Sequence, residues 1–265
     1  MNLGVVGHVE WVEFIRVEEV PRPGEIVHAL ERWDEPAGGG AVAATQLAKL
    51  NGSVHFFTGL GDDELGRRSR DELESRGISV HSAVTGEPQR RAFTYVDGNG
   101  ERTITVLGDK LLPSGENGDL PWELLARCDA VYFVSGDATA LRAARRSRTL
   151  VATARELAML RRAEEELDVL VGSAQDPGEH YEPGDLAPAP RVVVTTSGGL
   201  GGWVQPGGPF RAAPIPGSVE DAYGCGDCFA AGLTFALARG DSTDEAVAFG
   251  AQCGAEALTR RGAWG

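Results

Sequence analysis

The chain has 265 residues, 42% of them hydrophobic and 24% charged, with 25 basic against 39 acidic side chains. That length suits one large α/β domain with a sizeable core. The net charge of −14 disfavours nucleic acid or an anionic membrane as partner, because both reward a basic face; a small phosphate-bearing ligand remains open, since backbone N–H groups and a metal ion can override the global field locally.

Met1 leads directly into LGVVG (3–7), a first buried strand, with no basic leader and no run long enough to cross a bilayer, so a cytoplasmic location is expected. HVEWVEFIRVEEV (8–20) alternates at period two and is closed by PRPG. AVAATQLAKLNG (41–52) reads as a helix stopped by Gly52, and VHFFTGLG follows as strand and turn. DDELGRRSRDELESRG places acids at a helix N-terminus and ends at Gly77. After the strand ISVHSAV, RRAFTYVDGNGERTITVLG (90–108) gives two alternating runs around Asp97, Gly98, Asn99 and Gly100, a hairpin signal. The strands AVYFVS (130–135), TLVAT (149–153), DVLVGS (168–173) and RVVVTTSGG (191–199) follow, interleaved with helical stretches such as ARELAMLRRAEEEL. The Pro- and Gly-rich stretches 111–121 and 176–190 read as loops. The rhythm predicts an α/β domain spanning residues 1–265, with a mainly parallel central sheet and helices on both faces. The alternating segments, about 8–35 and 88–108, are expected to form a small β lid with one wet face.

The densest chemistry lies in DAYGCGDCFAAG (221–232). Phe229, Leu233 and Leu237 recur every four residues, which marks a buried helix running to about Arg239 and Gly240. Gly224 and Gly226 let the backbone approach a ligand closely. The first N–H groups of a helix lack internal partners, and its dipole adds positive potential, so this turn is an anion site made from main chain. A carboxylate beside a phosphate repels it unless the acid is there to take a proton, which argues for Asp227 as a general base. The plainer reading is a capped helix, since Asp is a good N-cap and glycines are common in turns.

The same stretch resembles the C-terminal signature of the ribokinase-like (PfkB-type) carbohydrate kinases, usually close to D-T-T-G-A-G-D-A-F. VVGHVEWVEF and VPRPGEIV resemble that family's opening strand and lid, AGGGAVAATQLAKLNG its first glycine signature, GLGDDELG its G-x-D-x-x-G segment and DGNGERTI its lid hairpin. VVVTTSGGLGG resembles the strand and turn that meet the nucleotide, and ALTRRGA (257–263) its usual ending. The resemblance implies an ATP-dependent kinase, assisted by Mg²⁺, that phosphorylates a hydroxyl of a small sugar or sugar-like substrate, including nucleosides. It places Asp227 on the catalytic base and Gly224, Cys225 and Gly226 on the anion hole. Thr196, Gly198 and Gly201 fall on the nucleotide turn, Gly38 and Gly39 on the hinge and sugar-binding signature, and Asp221 on the acid that orders the phosphate and cation region. The resemblance also allows a homodimer through the lid and a monovalent cation, neither of which the residues themselves show.

The chain departs from that pattern in four places. Where relatives carry N-x-D to bind sugar hydroxyls, Glu10 and Val12 stand, so Glu10 either takes over that contact, meets a donor-rich substrate or is a solvated lid residue. Val42 replaces an Asn that touches substrate. Ser173-Ala-Gln-Asp176 stands for N-x-x-E, so Asp176 would hold Mg²⁺ through water. Thr153 and Arg155 follow a central strand where relatives often place acids or amides; of the two roles open to Arg155, a phosphate contact or the start of a helix, the helix start is favoured.

Other chemistries fit less well. G-x-x-x-x-G-K-[ST] is absent, and neither Gly4–Gly7 nor Gly59–Gly61 completes G-x-G-x-x-G before a helix. Cys225 and Cys228 form a lone C-x-x-C in which only the Cys225 N–H is required, and the five histidines show no ligand spacing. The alternative from another class is a non-catalytic small-ligand sensor on the kinase fold, motivated by the altered positions Glu10, Val42 and Ser173.

Overall fold

The computed structural model describes residues 1–265. In chain order its first half runs β1 (Leu3–Val6), β2 (Glu10–Arg16), β3 (Glu31–Ala37), α1 (Gly39–Asn51), β4 (Val54–Gly61), α2 (Glu64–Glu74), β5 (Ile78–Thr85), β6 (Arg91–Val96) and β7 (Arg102–Leu107). The second half runs β8 (Ala130–Phe133), α3 (Ala138–Arg145), β9 (Leu150–Thr153), α4 (Leu157–Ala163), β10 (Val169–Ser173), β11 (Val192–Thr196), β12 (Gly202–Gln205), β13 (Pro209–Phe210), α5 (Cys225–Arg239) and α6 (Thr243–Ala257). No helix is long and apolar enough to cross a membrane.

Nine strands form the main sheet in the order β13-β12-β11-β10-β9-β8-β1-β4-β5. The pairs from β11 through to β5 are parallel, and β12 and β13 add an antiparallel edge. Neighbouring residues of its central strands point to opposite faces, yet both sides are buried. Val5, Phe56 and Tyr132 pack toward α1, α5 and α6, while Val6, Phe57 and Phe133 pack toward α3 and α4. Helical cover on both faces is why these strands read as unbroken apolar runs. Each fully buried Phe contributes about 1.5–3 kcal/mol, which makes this sheet the rigid platform.

The lid is a separate four-stranded sheet, β3-β2-β6-β7. Its outer pairs are antiparallel and its central β2–β6 pair is parallel, because the chain crosses to the main sheet and back between them. One face of the lid packs Val12, Phe14, Ala92 and Val96 onto Val42, Tyr223, Cys228 and Ala263. Phe14 stacks on Trp33 and meets Tyr223 edge-on, each at 4.9 Å between ring centroids. β7 is exposed along its whole length.

Some boundaries differ from the sequence reading. Residues 154–167 give only a 3₁₀ turn (Ala154–Glu156) and the short α4, which Glu164 closes in a left-handed conformation at φ 55°. Arg155 therefore lies in the turn before the helix. Gly52 and Gly240 do end α1 and α5, at φ 81° and 94°.

Candidate active site

Parallel strands deliver their C-terminal ends to one edge of the main sheet, where open α/β sheets bind ligands. The turns after β1, β8, β9, β10 and β11 collect there, and the lid arises from β1 at the same edge. Into this edge points the N-terminus of α5. Gly224 caps it at φ 72°, and a Cβ there would lie 2.7 Å from Val42 Cγ1, so both conformation and space require glycine. The first bond of the helix runs from Cys228 N–H to Gly224 O at 2.9 Å, which leaves the N–H groups of Cys225, Gly226 and Asp227 ahead of the intrahelical ladder. Gly226 is exposed, and Cys225 and Asp227 are half-buried, so the turn is open on one side.

Asp227 stands in the first turn of α5 and faces Gly39, where an added Cβ would lie 3.1 Å from its Oδ1. Its carboxylate makes no ion pair within the chain. Burial and the charge of Glu179 push its pKa up to about 6, against the pull of Arg102 and Arg155, with Glu10 adding to the rise. An acid poised there is ionised at neutral pH and has the basicity to take a proton.

Glycine also decides the floor opposite. Gly38 adopts φ 81°, and its N–H donates to the Tyr223 hydroxyl at 3.0 Å. Tyr223 belongs to the same loop as the anion turn, so one bond ties the N-terminal glycine signature to the C-terminal one. Sequence reasoning missed this tyrosine, although its place within DAYG was visible. Glu10 lies against Gly38, where an added Cβ would approach Glu10 Cγ to 3.0 Å. It is 7% exposed, pairs with Arg90 Nε at 2.7 Å and has a raised pKa because burial outweighs that pair. Glu10 is thus a buried, oriented carboxylate on the cleft side and not a solvated lid residue.

Val42 does not line this floor. It is 1% exposed and wedged beneath Gly224, so it supports the anion turn and offers the substrate nothing. Asp221 is likewise turned inward: Oδ1 accepts from Tyr223 N–H at 2.7 Å and Oδ2 from Gly262 N–H at 3.0 Å. It fastens the loop to the C-terminal segment, where the sequence reading had it ordering phosphate and cation.

Asp176 also departs from expectation. Its Oδ1 accepts from Gly178 N–H at 2.8 Å and its Oδ2 is paired with Arg155, which also holds Glu179 through Nη2 at 2.7 Å. The Gly178 N–H and the Arg155 pair keep the Asp176 pKa low. The carboxylate whose charge reaches Asp227 most strongly is Glu179, three residues beyond Asp176. Arg155 and Glu179 are 24 residues apart and meet only because β9 and β10 are neighbours, a relation without a local sequence signal. No three His, Cys, Asp or Glu side chains converge as a ready-made metal cage.

At the nucleotide turn, Thr196 ends β11 and its hydroxyl donates to Gly172 O at 3.2 Å. A 3₁₀ turn at Gly198–Leu200 follows, closed by Ser197 N–H to Gly201 O at 2.7 Å. Gly198 is exposed; Gly201 sits at φ 89°, where a Cβ would collide with Phe210 O. Beside it, between Arg211–Pro216 and Ala248, Ala251, Gln252 and Glu256 of α6, opens a groove of about 340 Å³ that the sequence reading did not anticipate. The Cys225 and Cys228 thiols are both free, and burial raises their pKa values, which leaves little thiolate for redox chemistry.

Known proteins carry the same plan. Ribokinase of Dictyostelium discoideum is 31% identical over 109 residues, which cover 40% of this chain and 34% of that protein. The ATP-dependent ribose-1-phosphate kinase of Halopiger xanaduensis is 27% identical over 292 residues, covering 97% of this chain and 92% of that one. The structure of Arabidopsis thaliana ribokinase complexed with ribose and ATP superposes with a TM-score of 0.75 at 21% identity, over 98% of this chain and 93% of that one. The profile of the pfkB family carbohydrate kinases matches residues 2–157 and 139–264. With the glycine turns, the parallel sheet and the lid already in place, the match is decisive: the chain belongs to the PfkB family of carbohydrate kinases and is a phosphotransferase of that type.

Proposed function

We propose that the chain transfers the γ-phosphate of ATP to a hydroxyl of a sugar or nucleoside bound between Glu10, Gly38, Gly39 and Asp227. The observation that carries this reading is the unpaired Asp227 carboxylate beside helix N–H groups that have no acceptor of their own. Asp227 takes the hydroxyl proton as the new O–P bond forms, the bond from the γ-phosphorus to the bridging oxygen breaks, and ADP leaves with that electron pair. The amides of Cys225, Gly226 and Asp227 receive the charge that grows on the transferring oxygens. The nucleotide base occupies the groove beside α6, and the turn from Thr196 to Gly201 carries the phosphates toward α5.

Oxygen donors at the rim, Glu179 and Asp176, suit a hard cation that keeps most of its waters, although Arg155 occupies both in this structure. Bound on the nucleotide, Mg²⁺ supplies neutralisation of phosphate charge. The Glu10–Arg90 pair gives the acceptor pocket both an acceptor and a donor, which suits a polyol more than an apolar ligand.

ADP release with Mg-ATP and D-ribose, ribose 1-phosphate, fructose and adenosine tests the reading. We expect one acceptor to raise ADP release by about 10²–10⁴-fold over the Asp227→Asn variant. Equal release by both proteins on every acceptor would contradict it.

A further inference from the structure

Two acids and one arginine meet at the ends of neighbouring strands. β9 and β10 run parallel, with Val171 beside Thr153, so the turns that follow them emerge side by side at the edge of the cleft. Arg155 lies in the first turn, and Asp176 and Glu179 lie in the second. Arg155 donates to Glu179 Oε1 through Nε at 3.0 Å and through Nη2 at 2.7 Å, and the same Nη2 pairs with Asp176 Oδ2. One guanidinium thus closes a clamp across both acids.

Main chain sets both jaws of the clamp. The Thr153 hydroxyl accepts from Arg155 N–H at 3.2 Å, and Asp176 caps the turn Pro177–Glu179 by accepting from Gly178 N–H at 2.8 Å. That turn is pressed onto β10, where a Cβ on Gly172 would lie 2.7 Å from Glu179 O. The Glu179 side chain is only 18% exposed, so its charge needs a partner, and Arg155 supplies it. A hard cation held through water needs carboxylate oxygens that no other positive charge has claimed. Here the guanidinium has claimed them, and no third His, Cys, Asp or Glu side chain converges on the pair. A divalent ion entering between the acids would be repelled by Arg155.

Resting on the kinase reading above, we propose that Arg155 is a built-in cation that fills the rim position between Asp176 and Glu179, so that the enzyme needs no divalent ion beyond the one carried by its nucleotide. Arg155 is thereby a positioning residue. It neutralises Glu179 and ties the turns after β9 and β10 together beneath the nucleotide phosphates. A guanidinium suits that task because it stays charged at every working pH and reaches two carboxylates at once.

Titration of the nucleotide-free protein with Mn²⁺, followed through the paramagnetic resonance signal of the free ion, tests the proposal without ATP or an acceptor. Arg155→Ala should gain one Mn²⁺ site that the wild type lacks, with an affinity at least about tenfold above that of residual surface binding. Arg155→Gln, which keeps a donor for Glu179 but no charge, should gain the same site. Adding Glu179→Gln to Arg155→Ala should remove it. Cooperative thermal unfolding of all four proteins would show that the gain is not a product of misfolding. With Mg-ATP held constant on any active acceptor, wild-type turnover should be insensitive to free Mg²⁺. Turnover of Arg155→Ala should start about tenfold lower and recover as free Mg²⁺ rises. A wild type that binds Mn²⁺ as tightly as Arg155→Ala, a variant that gains no site, or wild-type turnover that climbs with free Mg²⁺ would overturn the proposal. A wild type silent on every acceptor would count against the kinase reading, while the Mn²⁺ titration would still decide what Arg155 does.

Discussion

The main sheet and the lid are both β structures, but they are held by different means. β1, β8 and β9 are buried at every position and sandwiched between helices, while β7 is exposed at every position and β6 only alternates. Apolar packing fixes the platform that carries the strand-end turns and α5. The lid has only one apolar face against the body, and separate polar contacts complete its attachment. Gly100 O accepts from Ala222 N–H at 2.9 Å, Arg16 donates to Glu220 O at 3.3 Å, and Glu35 accepts from Ala263 N–H at 2.8 Å. The chemical groups thus sit on a part that cannot move cheaply, and the substrate cover on a part that can. A kinase needs that division, because the lid must open for exchange and close to exclude water.

Substitutions that should separate the two regions most are in the cores. Phe133→Ala, in the buried face of β8, should cost about 3–5 kcal/mol, read as a large fall in the denaturation midpoint. Val106→Thr on β7 should change stability by less than about 0.5 kcal/mol; similar losses in both would refute the contrast. Smaller, and at the boundary, is Glu10→Gln. It removes the charge that pairs with Arg90, and the acceptor KM should rise about tenfold or more while the ATP KM holds. A parallel rise in both constants would assign Glu10 to general folding.

At the lid anchor the effect depends on pH. Burial raises the Glu35 pKa from 4.5 to about 7, although Ala263 N–H, Trp33, Arg76 and Arg261 oppose the rise. A carboxyl raised in the folded state contributes stability that is full below the unfolded value of 4.5 and lost as pH climbs through about 7. Glu35→Gln keeps an acceptor for Ala263 but cannot ionise. Its melting temperature should match wild type near pH 4.5 and exceed it above pH 7. A constant difference across that window would show that Glu35 stays ionised.

Much of this organisation is written in local pattern. The parallel strands announce themselves as apolar runs, the hairpin as Asp97 to Gly100, and the anion turn as Gly-x-Gly-Asp before a helix. α6 escaped notice because its face against α5 is made of small residues; Gly232 lies so close to Cys253 that a Cβ would come within 2.6 Å of Sγ. Its capping box, Ser242 with Glu245, was there to be read. Asp176 and Asp221 were placed by resemblance, but their partners Arg155 and Gly262 come from distant segments that only the fold assembles. Glu179 carries no motif of its own; its relevance arises from a strand neighbour.

The central claim is that Asp227 serves chemistry and not nucleotide binding. Single-turnover transfer of labelled γ-phosphate, followed across pH in wild type and Asp227→Asn, tests it most directly when nucleotide affinity is measured on the same samples. The wild-type rate should climb with pH through about 6 and then level off, while the variant should be slow and flat yet bind ATP normally. A variant with undiminished transfer, or one whose ATP affinity falls as far as its rate, would contradict the account.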